Sequence, residues 1–105
     1  MDIEPMEAML ARGQDNLLLR FGLGGEYLRR KDYPKAIIHL RAALAFDPKH
    51  AAAWKLLGNA LATSGEVSEA RIAYQRGIQV AESDGHLQAA KEMRVFLKRL
   101  DTAEP

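Results

Sequence analysis

Shifted against itself by 34 residues, the chain matches itself, and this periodicity constrains the fold more than any other feature. Leu23-Gly24 falls on Leu57-Gly58, Ala36 on Ala70 and Ile38 on Ile72. Similar residues also pair: Tyr27 with Leu61, Tyr33 with Val67, Leu40 with Tyr74, Leu44 with Ile78 and Phe46 with Val80. The offset defines two units, 17–50 and 51–84. A unit of this length is one supersecondary element that cannot bury its apolar face alone, so neighbouring units must stack.

Each unit reads as two helices. Trp54, Leu57 and Leu61 recur at three- and four-residue spacing, which places them on one helical face. Thr63-Ser64-Gly65 breaks that helix, and Gly65 suits the left-handed position beyond its end. Glu66 or Ser68 is expected to start the next helix, whose inward stripe is Ala70, Tyr74, Gly77 and Ile78. In the first unit Leu23, Tyr27 and Leu28 form one stripe, and Ala36, Leu40, Ala43 and Leu44 the other. Asp32 is the expected N-cap, with Pro34 in the tolerated first turn, and Asp47-Pro48 stops the helix. Gly24, Gly58, Ala36 and Ala70 fall where the two helices of a hairpin approach, and a large side chain there would force the axes apart. Gly22 and Gly25 crowd the same helix, each costing up to about 1 kcal/mol relative to alanine. The sequence offers no packing reason for either.

The order Trp-x2-Leu-Gly-x2-Tyr, then alanine, an aromatic, alanine and proline is the tetratricopeptide pattern. The first unit supplies Leu23, Gly24, Tyr27, Ala36, Leu40, Ala43 and Pro48, with Arg20 at the tryptophan position. The second supplies Trp54, Leu57, Gly58, Leu61, Ala70 and Tyr74, and departs with Gly77 for alanine and Glu82 for proline. Over 17–84 the chain therefore resembles the tetratricopeptide-repeat (TPR) family, and the departures in the second copy suggest a last repeat. The resemblance implies an all-α fold, an α-α superhelix of two helical hairpins. The ends are expected to cap it. Ile3, Met6, Met9 and Leu10 mark a short N-terminal helix over 4–12, a substitute for the second helix of a missing repeat. Ser83-Asp84-Gly85 is expected to open a capping helix over 85–100, with Leu87, Ala90, Met93, Phe96, Leu97 and Leu100 inward. Lys91, Glu92, Arg94, Lys98 and Arg99 are expected in solvent, and 101–105 is a tail. The whole of 1–105 then forms a single domain.

In this family the first helices of successive repeats line a concave groove that takes peptides or helices. Carried over by register, the groove presents Leu18, Phe21, Gly25, Leu28 and Arg29 from the first unit, and Ala52, Lys55, Asn59, Ala62 and Thr63 from the second. Some members hold the C-terminal carboxylate of a partner with a lysine and an asparagine four residues apart. Lys55 and Asn59 match that pair, but Phe21 and Gly25 occupy the same positions in the first unit, so most of that clamp is missing. Leu18, Phe21 and Leu28 are apolar where a solvated helix is polar. The N-terminal helix folds over them, a partner covers them, or two copies of the chain pair there. The expected function is a protein-interaction module binding a peptide or helix of a partner. The alternative is a structural subunit or homo-oligomer built on the same face. The chain is expected to be a monomer or weak homodimer.

Other classes find little support. With 15 Lys and Arg against 14 Asp and Glu the formal charge is +1, well short of the basic excess expected of a nucleic-acid binder. The run Arg29-Arg30-Lys31 falls at a helix C-terminus, where cations offset the helix dipole. There is no cysteine, hence no disulfide and no cysteine zinc site. His39, His50 and His86 lack metal-motif spacing, and the glycines at 22, 24 and 25 are followed by no Gly-Lys-Ser/Thr. No cofactor and no enzymatic activity are expected. The acidic start Met1-Asp2-Ile3-Glu4-Pro5 is unlike a signal peptide, no apolar run is long enough to span a membrane, and a cytoplasmic location is expected.

Overall fold

The structure, a computed structural model, describes residues 2–103, and of Ala103 the backbone alone. These residues form α1 (Ile3–Ala11), α2 (Leu17–Arg29), α3 (Tyr33–Phe46), α4 (Ala51–Thr63), α5 (Val67–Ser83) and α6 (Leu87–Ala103), with no strand among them. Each helix packs against the next in order, and the first helices also touch along one side, α2 on α4 and α4 on α6. The result is an elongated stack of 43 × 31 × 20 Å.

The helix ends follow from local chemistry. The side chains of Asp2, Asn16, Asp32 and His50 each accept a bond from a first-turn N–H of the helix they precede. Glu66, one of the two residues expected to start α5, holds the same place before it but makes no such side-chain bond, and Ser68 lies inside the first turn. Four helices close alike. A residue of positive φ, at Gly13, Lys31, Gly65 and Gly85, follows the last turn. The next N–H then reaches back five residues, from Gln14 to Met9, Asp32 to Tyr27, Glu66 to Leu61 and His86 to Ala81. The exception is α3, which stops at Asp47-Pro48 because proline cannot continue it.

Each hairpin closes on its glycine. A Cβ added to Gly24 would fall 2.6 Å from Leu40 Cγ, and one added to Gly58 would strike the Tyr74 ring, its counterpart in the repeat. Ala36 and Ala70 are fully buried at the facing positions. Gly77, inward on α5, leaves room for Met93 of α6 and for Trp54, whose Cβ would lie 2.8 Å from an added Cβ. Leu23, Leu40 and Met93 are the largest side chains wholly removed from water, one cluster running through both hairpins into α6.

The ends depart from expectation in detail. The first helix covers Ile3–Ala11 rather than 4–12, because Asp2 caps it and Arg12 already sits at its end. The last begins at Leu87, since Ser83 completes α5 and Gly85, at φ 76°, turns the chain. It continues past 100 because Asp101 accepts two bonds from Arg71 of α5, so 101–103 are helix rather than tail. Residues 104 and 105, like Met1, lie outside the described residues. Ala90 and Met93 are buried and Phe96, Leu97 and Leu100 partly so, but Leu87 is exposed. Glu92 and Arg94 are not left to solvent alone: Glu92 lies 3.7 Å from Lys55 Nζ, and Arg94 pairs with Glu82.

Candidate functional site

The residues expected to line one groove separate into two places. The first is an open apolar trough of about 460 Å³ between α1 and α2, walled by Met6, Met9, Leu18, Leu19, Phe21 and Gly22, with Asn16 at its end. Leu18 is 79% exposed, the most of any large apolar side chain described. Gly22 acquires a reason here: a Cβ would lie 3.3 Å from Met6 Sδ, so glycine lets the α1 methionine settle on α2. Gly25 has no comparable constraint, as Leu56 would be in ordinary contact at 3.9 Å. Of the three arrangements open to the apolar face, α1 does pack beside it, burying Ile3 and Met6, yet it leaves Leu18 uncovered.

Phe21 bounds the trough and packs on the His50 ring at 4.6 Å between centroids. Beyond His50 lies the second place, a hollow of about 430 Å³ with a more polar lining, where Ala52, Lys55 and Ala89 sit with the turn residues Asp47, Lys49, Asp84 and His86. His50 Nδ1 accepts from the Ala53 N–H at 3.1 Å, which leaves the ring proton on Nε2.

The remaining expected residues are engaged within the chain. The Asn59 amide oxygen accepts from the Tyr74 hydroxyl at 2.5 Å, and burial pushes that hydroxyl up to about 12. Lys55 faces Glu92 of the capping helix. Thr63 Oγ1 donates to the Asn59 carbonyl at 2.9 Å. Lys55 and Asn59 thus serve the contacts of α4 with α6 and α5 rather than standing together as a free polar pair. Arg29 is exposed and lies 3.7 Å from Glu26, and Leu28 is half-buried against the core.

One constellation escaped the sequence reading. Arg20, where the pattern has tryptophan, binds Asp15 through Nε at 2.8 Å and through its NH2 group at 2.9 Å. Its NH1 group reaches His39 Nδ1 at 3.0 Å. His39 Nε2 lies 3.4 Å from Glu7 Oε1, and the same oxygen accepts from the Tyr27 hydroxyl at 2.9 Å. The His39 and Tyr27 rings stack at 5.5 Å. Arg20's hydrogen bond holds Asp15 below the usual carboxylate range, and the same bond raises Arg20. Tyr27 is raised by burial first and by Glu7 second. His39 is pushed down by burial, with Arg20 acting the same way and Glu7 and Asp15 opposing. The signal available in the sequence was Arg20 itself, a cation at an inward position that requires partners. Among the described residues no group of three or more His, Cys, Asp or Glu side chains is placed to hold a metal ion.

Comparison with known proteins places this geometry. The family model described as tetratricopeptide repeat matches residues 6–49 and 21–86, so the likeness begins within α1 and exceeds the two hairpins. A TPR repeat-containing protein of Pseudomonas aeruginosa is 50% identical over 103 residues, 98% of this chain and 98% of its own. The peroxisomal targeting signal receptor of Eremothecium gossypii is 40% identical over 62 residues, 59% of this chain but 11% of the receptor. Among solved structures, a Bordetella parapertussis protein superposes with a TM-score of 0.83 at 48% identity, covering 95% of this chain and 87% of that one. A tetratricopeptide repeat domain protein from Salinibacter ruber, with a TM-score of 0.78 at 20% identity over 86% of this chain and 91% of that one, shares the fold.

Proposed function

The chain belongs to the tetratricopeptide-repeat family, whose members generally act as protein–protein interaction modules, and on that premise we propose that it binds an apolar segment of a partner protein in the trough between α1 and α2. The observation that carries the reading is Leu18, left 79% exposed beside Met6, Met9 and Phe21 in a trough with an almost wholly apolar lining. An exposed apolar surface of this kind is stabilised by a partner that removes it from water. The methionines give it a flexible wall that adapts to the shape of the incoming side chains. A helix or extended peptide presenting Leu, Ile, Met or Phe matches this lining, whereas a nucleic acid does not. No helix among the described residues is long and apolar enough to cross a membrane, and the reading places the module in the cytoplasm as a monomer or weak homodimer.

The test replaces Leu18 with a photo-crosslinking residue and compares it with the same residue at Ile38, which is exposed on α3. Adducts to apolar segments of a partner are expected at position 18 and not at 38. Leu18→Glu, which buries no charge in the free protein, should lower capture of that partner by about tenfold, about 1.4 kcal/mol, while leaving helicity unchanged. Undiminished capture by a folded Leu18→Glu protein would rule out the trough. Adducts joining two copies of the chain would instead favour the homo-oligomer.

A further inference from the structure

The repeat register carries into α1. Shifted by 34 residues, Met6, Met9 and Leu10 fall on Leu40, Ala43 and Leu44 of α3. Shifted by 34 again, they fall on Tyr74, Gly77 and Ile78 of α5. By this count α2 and α4 are first helices of hairpins, α3 and α5 are second helices, and α1 is also a second helix. No first helix stands before it among the described residues.

The internal hairpins show what a first helix touches. It meets its own second helix through a glycine, Gly24 on Leu40 and Gly58 on Tyr74. It also meets the first helix that follows. Phe21 of α2 packs on His50 at the start of α4, and a Cβ at Gly25 would lie 3.9 Å from Leu56. Both contacts advance together along the two helices, so α2 and α4 run parallel. His50, Ala53 and Leu56 correspond to Asn16, Leu19 and Gly22 of α2. These three residues, with Met6 and Met9, line the trough. Met6 is the counterpart of Leu40 and Tyr74, but it meets no glycine of a first helix and leans on Gly22 instead. The trough therefore has the place and the lining of a first-helix seat.

From this correspondence, and taking the trough as the binding site, we infer that the partner segment is an amphipathic α-helix that completes the repeat α1 ends. It lies antiparallel to α1 and parallel to α2, with glycine or alanine where it crosses Met6 and apolar residues on either side. The helix comes from another protein. The first helix that a second copy could offer is α6, which the register places one repeat after α4. Seated on α1 of a neighbour, it would join copies head to tail. Its hairpin face opposes this. Where α4 has Trp54, Leu57, Gly58 and Leu61, α6 has Gln88, Lys91, Glu92 and Val95. Glu92 stands at the glycine position and lies 3.7 Å from Lys55 of its own chain. Seating α6 would press Glu92 and Lys91 against methionines without partners.

The probe is a synthetic peptide of Leu, Ala and Lys with the 13-residue length of α2 and α4, held helical by a side-chain staple. One glycine sits at the centre of its apolar face. The control lacks the staple and carries two central prolines, so it cannot form the helix. In NMR titrations of the full chain, the stapled peptide should move the Met6 and Met9 methyl signals and the Gly22 amide. Met93, buried against Gly77 at the far end of the stack, should stay fixed. The stapled peptide should bind at least about tenfold more tightly than the control, and phenylalanine in place of its glycine should weaken it about tenfold. A spin label at its N-terminus should broaden Asn16, and one at its C-terminus should broaden Ile3. Equal binding of the control at the same signals, the reverse pattern of broadening, or indifference to the phenylalanine would overturn the helix and leave the trough standing. Binding of neither peptide would also overturn the helix, and the trough would fall with it only if crosslinking at position 18 failed too. Met6 and Met9 signals that shift with the concentration of the chain alone would give the seat to a second copy and overturn the partner helix.

Discussion

In the second hairpin Trp54 packs against Gly77 and sends its indole N–H to the Pro48 carbonyl at 2.7 Å, beside a small, buried Ala73. In the first hairpin the same two positions are Arg20 and His39, and an apolar plug is replaced by a chain of hydrogen bonds. The backbones agree because the glycine contacts agree: Gly24 admits Leu40 as Gly58 admits Tyr74. What differs is where each hairpin finds its neighbours. The second buries its end against α6, through Met93 in the space left by Gly77. On its outer side the first has the short α1 and satisfies its polar groups with Glu7 and Asp15, both from outside the repeat. A repeat position therefore tolerates a partly buried cation when residues beyond the repeat supply its acceptors. Stability in the second hairpin comes from packing, whereas the first also relies on a chain of polar contacts.

The largest test of the shared frame is its glycines. Gly58→Ala sets a methyl against the Tyr74 ring, which is held in place by its bond to Asn59. It should destabilise the protein by about 2 kcal/mol through overpacking, even though alanine recovers about 1 kcal/mol of helix propensity. Gly24→Ala meets Leu40, an aliphatic side chain with other rotamers and no anchoring bond, and should be the milder of the pair. Chemical denaturation of both decides, and equal losses would remove the distinction between the hairpins.

The second test converts one hairpin into the other. Arg20→Trp alone drives an indole into space filled by His39 and strips the ring of its donor, and should cost about 1–3 kcal/mol. Adding His39→Ala restores the small residue found at Ala73, so the double variant should regain most of that loss, a strongly non-additive pair in a double-mutant cycle. Additive losses would show that the polar chain and the tryptophan plug are not alternative solutions to one packing problem.

These contrasts mark what the sequence could and could not convey. The inward stripes, the glycine approaches and the turns at Gly65 and Asp47-Pro48 were legible because they depend on spacing within a helix or on one fixed offset. The TPR fold followed from the same residues. The polar chain was not legible, since Arg20 and His39 meet only when the α2–α3 hairpin closes and Glu7 joins them only when α1 packs beside it. The trough was half legible: Leu18 and Phe21 stood out, but its other wall is Met6 and Met9, whose placement is tertiary. Lys55 and Asn59 looked free because Glu92 and Tyr74, which engage them, lie on other helices. The end of α6 escaped for the same reason, being fastened by Arg71 through Asp101.

The smallest test concerns the turns. Lys31 and Gly65 hold equivalent positions after α2 and α4, and both adopt positive φ, 64° and 84°. The backbone bonds around them correspond as well, from Asp32 to Tyr27 at 2.9 Å and from Glu66 to Leu61 at 2.8 Å. A side chain in this region brings Cβ too close to the following carbonyl, a strain of about 1–2 kcal/mol that glycine avoids. Glycine also gives the unfolded chain more freedom, which offsets part of the gain. Lys31 is exposed, so little packing is lost with its side chain. Lys31→Gly should therefore stabilise the protein by up to about 1 kcal/mol. Gly65→Lys, its mirror, should destabilise by a similar amount. A pair of opposite, equal shifts in denaturation midpoint would place the difference in the turn backbone alone. A destabilising Lys31→Gly would show that the first hairpin uses the lysine side chain for more than closing its helix.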